Sequence, residues 1–342
     1  MDIKELSLQD IKDFLTNNNE KAFRAKQIYE WLWKKNVKSF DEMSNLSLKL
    51  RELLNENFSL NPILVEDMQE SSDGTTKIAF KLHDGYSVEG VLIPSEKRAT
   101  ACISCQMGCT LGCKFCATAT LGFKRSLTAS EIYEQIYFIK TLAEERGYNF
   151  SNIVYMGMGE PMLNYDNIMK SIDLVTGKDG LEMSPKRITV STAGIAPMIK
   201  KLADDDVKFN LAVSLHSAIN ETRDSIMPIN KKYNLEELSE ALVYFVKKTG
   251  SRPTFEYLLM SGVNDSPADA RALADYCRAF PIKINLIEYN PHEGDLFNKS
   301  KKEDTEYFIK ILEGRNMVVN VRHSRGKDID AACGQLANKK NN

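Results

Sequence analysis

Five of the seven cysteines in this chain lie between Cys102 and Cys116. Cys109, Cys113 and Cys116 form a C-x3-C-x2-C spacing, with Phe115 just before the last. Three closely spaced thiolates suit three corners of a [4Fe–4S] cube, in which each cysteine takes one iron. The fourth iron is then free to bind a small molecule, which is what one-electron chemistry on a bound substrate requires. A structural zinc site, with Cys105 as fourth thiolate, is the other chemistry open to this stretch. Crowding speaks against it, because zinc ribbons usually separate two C-x2-C pairs by a long loop. Further along, Gly157-x-Gly159-Glu160-Pro161 lets backbone approach a ligand closely and supplies an anion for an ammonium group. Taken alone, it is equally a tight turn with a solvated carboxylate. His216, in Ser214-Leu215-His216, reads by itself as a hydrogen-bonded interior histidine. Cys333 reads as a small buried hydrophobe, and Glu89 as a surface carboxylate on a strand.

These residues need a scaffold, and hydrophobic periodicity supplies one. From about residue 98, strand patterns at 99–104, 152–157, 187–192, 207–215, 253–260 and 283–289 alternate with helical patterns. The helices fall at 129–146, 165–176, 196–204, 235–249, 267–279 and 304–314. Six βα units imply an α/β fold with a parallel sheet and right-handed crossovers, here a partial (β/α)6 barrel. A further strand at 317–323 leads into the segment that carries Cys333. In such barrels chemistry gathers after the C-terminal ends of the strands. The cysteine loop, Gly157–Pro161, Ser191, Ser214–His216 and Asn290 all fall there. Before the barrel, Thr75–Leu82 and Tyr86–Ile93 flank the turn residues His83-Asp84-Gly85 and read as a β-hairpin closed by Pro94. Residues 1–62 read as short helices, capped by Ser7 or Thr16 and ended at Asn61-Pro62. Phe23, Ile28, Trp31 and Leu32 share one face there, and Tyr29 and Trp33 another. This aromatic set is either a small core or a base-stacking surface. The predicted organisation is a helical accessory domain at 1–62, a hairpin extension at 63–97 and a barrel core at 98–342.

Composition is that of a globular protein, 43% hydrophobic and 27% charged over 342 residues, with a net charge of −2. The chain opens on charged residues without an apolar signal region, and no run of eighteen apolar residues suggests a membrane span. An odd, clustered set of cysteines points to a reducing compartment, the cytoplasm, rather than to a secreted disulfide framework. The charge is uneven. Residues 21–38 carry six cations against one anion, 97–125 carry five cations and no acid, and 315–327 carry four and none. Such patches can track phosphates on an otherwise acidic surface.

The cysteine motif with its aromatic resembles the radical-SAM superfamily, whose members cleave S-adenosylmethionine (SAM). Gly157–Asn164, Ser214-Leu215-His216 and Asp328–Leu336 narrow the resemblance to the RlmN family of dual-specificity RNA methyltransferases, which act on carbon 2 of adenine. It covers about 250 residues, Glu89 to Leu336. The resemblance implies a radical-SAM barrel with an N-terminal RNA-binding domain. It makes Cys109, Cys113 and Cys116 the ligands of a [4Fe–4S] cluster. It makes Gly159, Glu160, Ser191, Ser214, Leu215, His216 and Asn290 the contacts to SAM.

By the same resemblance Cys333 accepts a methyl group as S-methylcysteine, Cys102 resolves it through a Cys102–Cys333 disulfide, and Glu89 is the general base. An apolar setting around Glu89 would raise its pKa usefully, and Arg322, Arg325 and Lys327 are candidates to lower that of Cys333. The implied reaction uses two SAM per product on 23S rRNA and on the tRNA adenine 3′ of the anticodon. It draws electrons from a flavodoxin- or ferredoxin-like donor and needs a thiol reductant for the disulfide. A monomer without membrane attachment is expected. Cys105 stands where the resemblance leads to serine, so a Cys102–Cys105 disulfide or an alternative ligand stays open. Three rivals remain: methylation at carbon 8, a radical-SAM activase acting on a partner protein, and a non-catalytic zinc-and-RNA binding module.

Overall fold

A computed structural model describes residues 1–291 and 297–337. Twelve strands occur among them: β1 (Leu64–Glu70), β2 (Thr76–Lys81), β3 (Ser87–Ser95), β4 (Arg98–Cys102), β5 (Gln106–Met107), β6 (Arg125–Ser126), β7 (Asn149–Tyr155), β8 (Ile188–Thr192), β9 (Asn210–Ser214), β10 (Thr254–Leu259), β11 (Lys283–Glu288) and β12 (Val319–Arg322). β5 and β6 pair only with each other, and the other ten form one sheet in the order β1-β2-β3-β4-β7-β8-β9-β10-β11-β12. From β4 to β12 every neighbour is parallel, as the βα alternation predicts. The fold is α/β, a parallel sheet extended at one edge by antiparallel strands.

Local sequence explains why these elements form. Thr128 and Glu131 close a capping box on the helix Ala129–Glu145, as Asn234 and Glu237 do on Leu235–Thr249 and Ser266 and Asp269 on Pro267–Tyr276. Each box satisfies two backbone N–H groups that a helix start leaves unpaired. Gly250 ends its helix in the left-handed conformation, which glycine adopts without a Cβ clash. Along β8, Ile188 and Val190 are fully buried while Thr189 and Ser191 are half-buried. The period-2 alternation packs one set against the sheet's own core and turns the other to the interior where the chemistry sits.

The hairpin forms as β2 and β3, and it does not stand alone: β1 pairs antiparallel with β2 on one side, and β4 pairs antiparallel with β3 on the other, placing Val91 opposite Cys102. Strand β1 escaped sequence reading because its residues are mostly exposed and carry four acids or amides among seven residues, LVEDMQE. The short helix Asn220–Ile226 was also missed; it is too brief to show a period.

At the N-terminus, helices Leu8–Asn17, Arg24–Trp33 and Leu48–Asn57 bury Ile11, Leu15, Ile28, Leu32, Leu50 and Leu54. Ser7 caps the first helix; Thr16 instead donates to the Lys12 carbonyl. The aromatic set divides. Trp33 is buried, edge-on to Tyr133 at 5.4 Å, and its carbonyl accepts the Tyr133 hydroxyl at 2.6 Å. It therefore belongs to the core and anchors the helices to the barrel. Phe23 is 56% exposed, and Lys35 lies 3.3 Å over the half-buried Trp31 ring. Those two remain as the surface aromatics of the cationic stretch.

Candidate active site

The loops after the parallel strands enclose a cavity of about 310 Å³. Cys109, Cys113 and Cys116 line it together, as do Glu160 and His216. Two glycines hold the cysteine loop against the neighbouring strand end. A Cβ on Gly157 would lie 2.7 Å from the Ile103 carbonyl, and one on Gly159 2.5 Å from Gln106. Gly159 also has φ +99°, a conformation closed to other residues without strain. The Gly-x-Gly spacing is therefore a packing requirement of this junction.

Burial pushes all three cysteine thiols up, Cys109 to about 11, and at Cys113 negative charge on the other two adds to it. Bare, they stay protonated; cationic iron would deprotonate them. No group of three or more His, Cys, Asp or Glu among the described residues is arranged to hold a single metal ion. Cys105, needed for the zinc alternative, is buried away from the cavity with its thiol donating to the Met158 carbonyl at 3.6 Å. Three sulfurs lining one cavity suit three corners of a [4Fe–4S] cluster.

Glu160 is buried and accepts the Met162 N–H at 3.1 Å and the Ala193 N–H at 2.8 Å. Burial raises it to about 7 against those donors. It is a carboxylate poised for a cationic group. His216 takes a positive φ of 56°, and its Nδ1 accepts the Leu258 N–H at 3.0 Å, which leaves the proton on Nε2. Desolvation lowers its pKa to about 3, so the ring is a neutral donor. Ser191 and Ser214 also line the cavity.

Leu215, Asn290 and Glu89 are buried beside the cavity without lining it. Leu215 contributes backbone only: its N–H donates to Glu256 and its carbonyl accepts Arg223 Nε, both at 3.0 Å. Asn290 donates to Ser324 Oγ at 2.8 Å and so steadies a residue that does line it. Around Glu89 the expected apolar setting is replaced by a charge pair. One oxygen lies 3.5 Å from Lys77 Nζ, and the other accepts the Ala337 N–H at 3.0 Å.

That last bond belongs to a set of contacts that sequence reading missed. After β12 the chain crosses the cavity mouth, and both ends of this crossing are fastened. Asp328 accepts from Ser71 Oγ at 2.5 Å and the Ser72 N–H at 3.1 Å, and Asp73 accepts the Gly326 N–H at 3.1 Å. Beyond Cys333, the Gly334 carbonyl accepts the Ala117 N–H at 2.8 Å and the Leu336 carbonyl accepts Thr118 Oγ1 at 2.6 Å. Gly334 has φ +83°, and a Cβ there would approach the Phe115 carbonyl to 3.2 Å. These partners lie more than 200 residues apart in sequence, so no local signal reveals them.

Cys333 thereby opens into the cavity that the three cysteines line, and Cys102 faces the same space from the end of β4. Both are free thiols. Cys333 is exposed to the cavity yet surrounded by protein, and this desolvation raises its pKa; Glu256 adds to the rise and Arg322 opposes it. Lys327, the third candidate helper, is instead paired with Glu288 at 2.6 Å.

Residues 1–60 match the family described as the ribosomal RNA large subunit methyltransferase N-terminal domain, and residues 103–274 match the radical SAM superfamily. The crystal structure of a radical SAM methyltransferase from Sphaerobacter thermophilus is similar over 98% of this chain and 99% of that one, with a TM-score of 0.93 and 39% identity. The hydrogenase maturase HydG, with a TM-score of 0.52, 14% identity and coverage of 70% and 56%, shares the fold alone. Fold, cysteine loop and cavity define a radical-SAM methyltransferase.

Among curated relatives, a probable dual-specificity RNA methyltransferase RlmN from Flavobacterium johnsoniae is 55% identical over 341 residues, 99% of this chain and 97% of its own length. One from Salinibacter ruber is 44% identical over 348 residues, covering 99% and 94%. The chain belongs to the RlmN family of radical-SAM RNA methyltransferases. The family implies a [4Fe–4S] cluster and SAM. No helix among the described residues is long and apolar enough to cross a membrane.

Proposed function

We propose that this enzyme methylates carbon 2 of an adenine in the peptidyl-transferase region of 23S rRNA and of the adenine 3′ of the anticodon in some tRNAs. The methyl group travels on Cys333 as S-methylcysteine. One observation carries the reading: Cys333 and Cys102 open into the cavity lined by Cys109, Cys113 and Cys116. A methyl carrier, its resolving thiol and the radical source have to share one space.

When bound at the three cysteines, the cluster with SAM supplies one electron and the hydrogen-abstracting radical. Glu160 holds the SAM ammonium, and the neutral Nε2–H of His216 with Ser191 and Ser214 orients the rest of the cofactor. The Cys333 thiolate attacks the methyl of a first SAM, forming the C–S bond and releasing S-adenosylhomocysteine. After a hydrogen atom is removed from that methyl, its carbon bonds to adenine carbon 2. Glu89 takes the carbon-2 proton. The adduct gives back one electron, and the Cys102 thiolate attacks the Cys333 sulfur, so that the S–S bond forms as the C–S bond breaks and the released CH2 carbon takes up a proton to become the methyl group. The carbon nucleophile answers a physical problem, since adenine carbon 2 is too electrophilic for ordinary methyl transfer. Two SAM are used per product. A flavodoxin- or ferredoxin-like donor and a thiol reductant complete the cycle, in a monomer working in the cytoplasm. The exposed Phe23 and the cationic stretch around it suit an unstacked RNA segment.

Anaerobic reconstitution with iron, sulfide, SAM and rRNA, followed by mass spectrometry of digested nucleosides, tests the reading. Cys333→Ala is expected to abolish product. A methyl group found at carbon 8 would move the assignment to the sister activity. Unmethylated Cys333 in protein purified with its cluster would favour an activase.

A further inference from the structure

Arg223 has no place in the reaction just described, yet it is among the largest fully buried side chains, at 0% exposure. It forms no salt bridge with any described carboxylate; its fork is filled by neutral acceptors. Nε donates to the Leu215 carbonyl at 3.0 Å, Nη1 to Asn230 Oδ1 at 2.7 Å, and Nη2 to the carbonyls of Ala193 at 2.7 Å and Ser214 at 3.3 Å. Those carbonyls lie at the C-terminal ends of β8 and β9 and just beyond them, next to the cavity residues Ser191, Ser214 and His216. A Cβ on Gly194 would lie 3.2 Å from Nη2, so the first loop is shaped around the guanidinium.

The same element touches the cysteine loop. The Ile226 carbonyl accepts the Lys114 N–H at 3.0 Å, Ile226 shares an apolar cluster with Phe115, and Met227 lines the cavity. The Arg223 charge acts on Cys113, pulling its thiol down, and on His216, helping to keep it neutral. Burial lowers Arg223 itself to about 10, which leaves it cationic at neutral pH. A buried ion without a counter-ion carries a desolvation cost that a neutral side chain would not. The anions that act on Arg223 from nearby are Tyr276, Cys113 and Asp224. Tyr276 is held neutral by burial and donates to the Leu235 carbonyl, and Asp224 already accepts from Asn230. The charge left to face Arg223 is the one the cysteine site would carry once bound iron deprotonates its thiols.

We propose that Arg223 is a positioning residue whose buried positive charge offsets the charge of the three-cysteine cluster site while its fork fixes the two loops at the rim. A three-thiolate [4Fe–4S] centre gains one negative charge on reduction, and a fixed cation in a low-dielectric surrounding favours that step. The inference rests on the assignment of Cys109, Cys113 and Cys116 as cluster ligands.

The test is a redox titration of the reconstituted cluster, followed by electron paramagnetic resonance in the parent and in Arg223→Lys and Arg223→Gln. Arg223→Gln is expected to make reduction at least tenfold less favourable, about 59 mV for one electron, and Arg223→Lys to recover most of that. Equal potentials in all three, with equal losses of stability, would show a strut and overturn the proposal. If Arg223→Gln fails to fold, the double variant Asn230→Asp/Asp224→Asn keeps the shape and total charge but seats a carboxylate on Nη1. It is expected to lower the potential in the same direction, and an unchanged potential overturns the proposal. Absence of any cluster signal in the parent would instead refute the ligand assignment.

Discussion

Two lysine–glutamate pairs are buried among the described residues, and they are built differently. Lys4–Glu134 joins the N-terminal helices to the helix Ala129–Glu145 at 2.6 Å, with both side chains fully enclosed. Its oxygens also take Lys38 at 3.3 Å and the Ile63 N–H at 2.9 Å, while Lys4 donates to Asn36 at 3.1 Å. Lys77–Glu89, beside the cavity, is longer at 3.5 Å and leaves the lysine 10% exposed. Its other oxygen holds only the backbone of the Cys333 segment. A saturated network fixes a geometry and has nothing left to offer a substrate. An under-satisfied pair next to a reactive segment can exchange partners, which a general base has to do.

Glu89→Gln is the substitution with the largest expected effect. Product formation should fall by about 10²–10⁴-fold, as for loss of a general base, with methylation of Cys333 preserved. Finding full activity would remove the distinction between the pairs. Lys4→Met should do the reverse, costing about 3–5 kcal/mol because Glu134 is left buried without its closest cation. Denaturant unfolding reads this, and activity per folded molecule should persist.

A pH effect comes next. Glu160, raised by burial to about 7, binds its proton more tightly folded than unfolded. Its contribution to apoprotein stability is therefore fully present below the ordinary carboxylate pKa and is lost as pH rises through about 7. SAM affinity should move oppositely, rising as the carboxylate forms, and Glu160→Gln should flatten both profiles. The smallest change is Thr118→Val, which removes the hydroxyl that holds the Leu336 carbonyl. It should cost about 1 kcal/mol and slow Cys333 methylation without changing cluster content.

Much of the barrel was legible because its signals are local. The helices at 165–176, 196–204 and 235–249 coincide with the observed elements, since caps and a 3.6-residue period are written in adjacent residues. The cysteine spacing, the Gly-x-Gly junction and the strand-end serines also lie within a few residues of one another. Strand β1 was hidden because an exposed edge strand has no buried face to mark it. The charge partner of Glu89 was hidden because Lys77 arrives from the paired strand, opposite Val91, and nothing in the residues next to Glu89 announces it.

The sequence by itself determined which groups are present and which short stretches present them: three thiolates in one loop, a carboxylate behind two glycines, a lone cysteine near the end. Only the tertiary structure decided that Cys333 meets that loop, that Trp33 is core while Phe23 is surface, and that Arg223 is a buried charge rather than a solvated one. Covalent spacing limits what neighbours in sequence can do. Contacts across 200 residues depend instead on how the sheet curls the chain back and on which buried polar groups must find partners there.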